Sequence, residues 1–273
     1  MRHRFLFRTP LSIIATSFIL LVALLSTQIL RVQAANTSYY VDCSATSNGT
    51  GTQASPWNTV ASVTATTFTS GDSVLFKRGT SCAGAVWPKG SGVSGAPIRL
   101  GDYGTGARPI LNGGTNQYTV KLSDQSYWDI QNLELVGGTR YGLFITSTSG
   151  PRTYFRLTNL LVRDVNNGTL DSKNTGLVVL SPTHDASNST NARLDDIVID
   201  NVMAYNSNMW SGIIVGSGTN ADSWAPNQSK RSTNVTIRNS TVHDVYGDGI
   251  ILFGVNTFAN FGITTKLAFF RQI

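Results

Sequence analysis

Four short stretches of this chain obey one rule. Tyr127 to Leu135, Tyr154 to Val162, Asp196 to Met203 and Asn234 to Val242 each alternate apolar and polar residues. A two-residue period is that of a β-strand with one buried face. In each stretch an Asn stands two residues after an inward apolar residue: Asn132, Asn159, Asn201 and Asn239. A second short strand then opens on glycine, at Gly142, Gly176, Gly212 and Gly249. The Asn-to-Gly offsets are 10, 17, 11 and 10, so the second unit carries an insertion and the others agree within one residue.

A short strand with one apolar face cannot bury that face alone. Stacking copies about 4.8 Å apart makes a continuous core. Equivalent positions then form ladders. Asn at a turn bonds the next Asn, and Gly supplies a positive φ or a close approach at a corner. The expected fold is all-β, a right-handed parallel β-helix over residues 73–255. Ser73–Phe76, Ala96–Leu100, Arg108–Leu111 and Tyr118–Leu122 supply earlier coils, and residues 35–72 a capping segment. No amphipathic run of period 3.6 lasts three turns, so helices are not expected. The tail, 256–273, has no Asn-then-Gly unit and contains Phe269 and Phe270. A solenoid needs a capped end. The expectation is a β-helix lacking its C-terminal coils, the alternative being that the tail folds back as the cap.

The N-terminus reads as an address. Arg2, Arg4 and Arg8 precede an apolar run from Leu11 to Leu30, and Val32-Gln33-Ala34 offers small residues for a signal peptidase. This predicts a signal peptide over 1–34 and a secreted product, or a surface-anchored one if the leader is uncleaved. The net charge is +6, but Arg2, Arg4, Arg8 and Arg31 belong to the leader, leaving 17 basic against 15 acidic residues. The basic balance is therefore mostly targeting, and nucleic acid is not an expected partner. A monomer without stable membrane insertion is expected once the leader is removed.

Both cysteines, Cys43 and Cys82, fall in the exported part. An oxidising compartment favours a disulfide between them, the alternative being two buried thiols.

Tyr39–Asp42, Gly71–Gly79, Gly90–Ile98 and Tyr103–Leu111 resemble the opening of secreted parallel β-helix repeat proteins of the pectate-lyase-like fold. The resemblance covers Ser38 to about Val255. Families of this fold include polysaccharide lyases, glycoside hydrolases, epimerases and adhesins. It thus implies a polysaccharide partner and either cleavage of a glycan or non-catalytic, adhesive binding of one.

Counting five residues beyond each ladder Asn gives Gly137, Asp164, Asn206 and Asp244. Asp164, Asn206 and Asp244 should therefore adjoin, with Asp248 and His243 close by. Oxygen ligands on adjacent rungs suit Ca²⁺, with Asp164, Asn206 and Asp244 as the candidate ligands. Two carboxylates can instead share acid and base work, making Asp164, Asp244, Asp248 and His243 the catalytic candidates. In lyases of this fold the resemblance implies that Ca²⁺ acidifies a proton beside a uronate carboxylate and a Lys or Arg removes it; Arg163 is the neighbouring candidate. The competing reading is that Asp and Asn are turn formers only. Two insertions, Ser181–Asp195 and Ser217–Thr233, follow the glycine strand and should leave one edge as a wall. Tyr205, Trp210, Trp224, Lys230 and Arg231 are the candidate glycan contacts, aromatic faces for sugar rings and cations for acidic groups.

Overall fold

A computed structural model describes residues 36–167, 174–182, 191–216, 232–253 and 255–256, all within the unit Ala35–Ile273. The elements run β1 (Ser38–Val41), α1 (Val60–Ala65), β2 (Ser73–Lys77), β3 (Ser81–Ala83), β4 (Ile98–Tyr103), β5 (Ile110–Gly114) and β6 (Tyr118–Ser123). They continue with β7 (Trp128–Gln131), β8 (Glu134–Gly137), β9 (Tyr141–Thr146), β10 (Pro151–Arg163), β11 (Gly176–Leu180) and β12 (Arg193–Ser207). Last come β13 (Ser211–Gly216), β14 (Ser232–Thr233), β15 (Val235–Arg238), β16 (Thr241–Val245), β17 (Asp248–Phe253) and β18 (Val255–Asn256).

Every pairing between these strands is parallel, and the fold is the expected right-handed β-helix. One sheet climbs from β1 through β2, β4 and β7 to β10, β12 and β15; a second climbs from β6 through β9, β11 and β13 to β17. The long strands β10 and β12 each serve two faces. The first half of β10 pairs with β7 and its second half with β8. Asn159 marks the corner between them at φ 55°.

Identical register makes inward residues stack. Val74, Leu100, Ile130, Leu157, Ile199 and Ile237 form one column, and Ile98, Trp128, Phe155, Ile197 and Val235 the next. All are buried. Removing such side chains from water is what favours the coil over the extended chain.

The corners fall where the Asn rule put them. Asn132, Asn159, Asn201 and Asn239 all have φ between 51° and 59°. Asn132 Nδ2 donates to Asp102 Oδ1 (2.8 Å), Asn159 Nδ2 to Asn132 Oδ1 (2.7 Å) and Asn201 Nδ2 to Asn159 Oδ1 (3.0 Å). Asn239 departs from the column and donates to Asp200 Oδ1 at 2.9 Å. The strand-opening glycines Gly142, Gly176 and Gly212 serve close approach rather than positive φ. A Cβ on Gly142 would lie 2.6 Å from the Leu177 carbonyl oxygen, and one on Gly212 2.7 Å from that of Gly249.

Two features were not expected. A six-residue helix, α1, exists among residues 35–72, started by the Thr59 hydroxyl accepting from the Ala61 amide. It was hidden because one and a half turns give no amphipathic period. The same segment also supplies a sheet strand, β1, paired with β2. Cys43 and Cys82 form the disulfide, with Cα atoms 5.3 Å apart, and so tie this segment to β3.

Candidate functional site

The column five residues beyond the Asn corner is present. Asp164, Asn206 and Asp244 all have φ between 52° and 61°, and the Asn206 amide donates to the Asp164 carboxylate. Each member of the predicted catalytic set has a partner of its own. Asp164 is also gripped by Arg163, which reaches back to Glu134 as well. Asp244 meets the Nδ1 of His243 at 2.8 Å. Asp248 accepts from the Trp210 indole at 3.0 Å. Each carboxylate has its own local donor, because each serves its own turn. Among the described residues no three His, Cys, Asp or Glu side chains gather as a metal site. On Asp164, a guanidinium and an amide N–H already occupy the two oxygens that a Ca²⁺ ion would need.

Of the predicted aromatic contacts, Tyr205 and Trp210 are described, and each meets a different ring. Tyr205 stacks on His243 with ring centroids 4.9 Å apart and planes 9° off parallel. Trp210 meets Tyr246 edge-on at 5.8 Å, and Tyr246 is 56% exposed. Beside them lies a cleft of about 560 Å³ that includes Asn206, Asn208, Asp244 and Tyr246 in its lining. Trp224, Lys230 and Arg231 lie outside the described residues. The strands ahead of both insertions do leave one edge, since Leu180 pairs with Val215.

A second site was missed. It lies on the outer face of the first sheet, where the register aligns Arg99, Asp129, Arg156, Val198 and Thr236 in one column. Gln131, Thr158, Asp200 and Arg238 align in the next. Between them runs a cleft of about 310 Å³ whose lining includes Asp129, Tyr154, Arg156, Asp200 and Arg238. These positions stand three residues and one residue before each ladder Asn. Counting backward along the same ladder finds them; counting forward does not.

The cleft holds two carboxyls in opposite environments. Asp129 Oδ1 is buried without a hydrogen-bond partner. Burial pushes the Asp129 carboxyl above its usual range, only partly opposed by Arg156 and Arg99. For Asp200 burial acts the same way, but hydrogen bonds from Asn239 and Arg238 outweigh it and hold the carboxyl below its usual range. Asp129 therefore tends to keep a proton and Asp200 to lose one.

Tyr154 forms the rim. It stacks on Tyr127 at 5.4 Å, and both rings hang from left-handed backbone, φ 66° and 60°. Bulky side chains rarely take that conformation, and such strain concentrates at functional sites. Arg156 lies over the Tyr154 ring at 4.0 Å and binds both oxygens of Asp196 at 2.9 Å.

No protein-family model and no curated protein matches the chain. Solved structures do. A GH136 lacto-N-biosidase from Eubacterium ramulus superposes with a TM-score of 0.67 at 20% identity, over 89% of this chain and 46% of that one. The native form of that enzyme gives 0.63 at 21%, over 80% and 43%. The pectate lyase Pel9A gives 0.44 at 15%, over 84% and 57%. The chain thus spans about half the length of the structures it matches first. At these identities the likeness is one of fold: this chain is a parallel β-helix that shares its architecture with the GH136 lacto-N-biosidase.

Proposed function

We propose that this chain is a carbohydrate-active protein that cleaves a polysaccharide in the outer-sheet cleft, by hydrolysis. The observation that carries the proposal is the pairing of Asp129 and Asp200 in one cleft, with environments that push their pKa values in opposite directions. Glycoside hydrolysis needs one carboxylic acid and one carboxylate flanking the bond. The Asp129 carboxyl gives its proton to the departing glycosidic oxygen as the C–O bond breaks. The Asp200 carboxylate faces the positive charge that develops on the sugar and takes the proton of the water that adds to the anomeric carbon. Tyr154 offers a ring face to the pyranose. A lyase would instead need a free base to remove a carbon-bound proton, and the two arginines of this cleft, Arg156 and Arg238, are each engaged by a carboxylate.

Export belongs to the same proposal. The Cys43–Cys82 disulfide supports it, because such bonds persist in oxidising compartments. The neighbouring fold members named for glycan-cleaving activities support a polysaccharide as the substrate class.

The test is incubation of the purified chain with neutral, amino-sugar and uronate polymers, with and without Ca²⁺. Release of reducing ends without an absorbing unsaturated product is expected, and Asp129→Asn abolishes it. An unsaturated product that depends on Ca²⁺ would establish a lyase. Binding without cleavage would establish the adhesive reading, which the separately satisfied turn carboxylates Asp164, Asp244 and Asp248 favour. Absence of both cleavage and binding would sink the proposal.

A further inference from the structure

The outer face of the second sheet carries a cluster that the outer-sheet cleft does not use. Lys121 projects from β6, and its Nζ lies 4.2 Å from the centroid of the Trp87 ring and 5.4 Å from that of Tyr118. Trp87 meets Tyr118 edge-on at 6.3 Å. The next coil extends the surface: Tyr118 pairs in register with Tyr141, and Lys121 with Phe144. Tyr141 and Phe144 stack at 4.2 Å with planes 10° apart. The backbone beneath is fixed, with the Lys121 amide donating to Val86 and the Trp87 amide to the Thr64 hydroxyl. None of these side chains belongs to the hydrophobic core; each is half-buried on the outer face.

The ammonium has no carboxylate partner among the described residues. Asp124, the nearest acid that acts on it, is already engaged by Thr148, Ser149 and Arg152. Burial beside the rings pulls the Lys121 pKa below its usual value. A desolvated cation held against aromatic faces gains a strong charge-assisted hydrogen bond when an anion arrives. A ligand that fits brings a carboxylate and, beside it, a flat face of C–H groups for the rings.

We propose that Lys121, Trp87 and Tyr118 form a second saccharide subsite, on the opposite sheet from the cleft, selective for uronic acid residues. The sugar carboxylate accepts from Lys121 Nζ while the pyranose lies against the Tyr118, Tyr141 and Phe144 rings. A neutral sugar gains the ring contacts without the charge. The subsite anchors an acidic stretch of a glycan whether or not the cleft cleaves it, so it stands apart from the hydrolytic reading.

The experiment titrates the full-length protein with a galacturonate trimer and with a neutral galactose trimer, by calorimetry and tryptophan fluorescence. The uronate is expected to bind about tenfold tighter than the neutral trimer, the size of one charge-assisted contact. Lys121→Gln should remove that difference and Lys121→Arg should keep most of it. Trp87→Phe should remove the fluorescence response while a reduced affinity remains. Equal binding of the two trimers, or selectivity that survives Lys121→Gln, would overturn the proposal. Cleavage assays are not involved, so failure here leaves the cleft proposal standing, and failure there leaves this one.

Discussion

Arg156 holds its guanidinium carbon 4.0 Å from the centroid of the Tyr154 ring, on the lip of the outer-sheet cleft. The ring is thereby pinned although its backbone sits at φ 66°. Asn tolerates that conformation better than Tyr. Tyr154→Asn should therefore keep the melting temperature near that of the parent while glycan affinity falls about two- to tenfold, the range for one lost aromatic stack. Affinity electrophoresis and a thermal melt on the same samples check both halves. A large fall in stability with unchanged affinity would make Tyr154 a structural residue.

Asp129→Asn separates protonation from packing. In the folded chain the Asp129 carboxyl keeps its proton to a higher pH than its unfolded value of 3.8. Between those two values the folded state binds more protons than the unfolded one, so stability falls as pH rises through the window. The Asn variant has nothing to titrate there and should lose less stability over the same rise. Thermal melts from about pH 4 to about pH 8 read the difference. Parallel curves for parent and variant would refute the raised pKa.

Asp200 has the opposite sign. Its folded carboxyl titrates below 3.8, so its contribution is present above that value and is lost as pH falls through the folded one. Asp200→Asn should flatten the acid limb of the stability curve. On the proposed chemistry it should also lower turnover by about 10²- to 10⁴-fold, the span for loss of one acid–base partner. Full turnover in this variant would remove Asp200 from the mechanism.

The Asn corner can be divided into backbone and amide. Asn159→Gly keeps the φ of 55° at low steric cost and loses only the side chain, which Asn201 and Asn132 both engage. Asn159→Ala loses both. The Ala variant should be less stable than the Gly variant by about 1 kcal/mol, measured by urea unfolding. Gly entropy in the unfolded state works against this gap, so equality would mean that the column, not the corner, selects Asn.

Cys82→Ser opens a loop whose ends are 39 residues apart. Loop-closure entropy puts the loss at about 3–4 kcal/mol, with a matching fall in urea midpoint that reductant reproduces in the parent. An unchanged midpoint would mean that β1 and β3 are held by the sheet alone.

How much of this was legible depended on what the period encodes. The corners at Asn132, Asn159, Asn201 and Asn239 could be found because their side chains and their backbone obey one requirement, repeated every coil. The same ladder located Asp164, Asn206 and Asp244, whose left-handed φ explains their identity. A turn selects such residues whether or not they react, so their identity alone carries no chemistry. Asp129 and Asp200 carried no such mark. One sits before Ile130 and the other before Asn201, on different coils and in different columns. Only the register of β7, β10 and β12 brings them to one cleft. Lys121 and Trp87 are separated by a whole coil, joined through a bridge between Val86 and Val120 that no alternation predicts.

The Asn column also has a direction. Asn201, Asn159 and Asn132 each give a hydrogen to the coil before, and the series ends on Asp102, which can only receive. Arg78 also donates to the Asp102 carboxylate. A rung of this kind is an arrow, not a rivet. A coil could be duplicated within the series and every donor would still meet an acceptor, but an interior Asp would set acceptor against acceptor and break the sequence of gifts. Growth of such a solenoid by copying coils is thus chemically open along one sense of the chain, and the side chain that closes it is a carboxylate at the first rung.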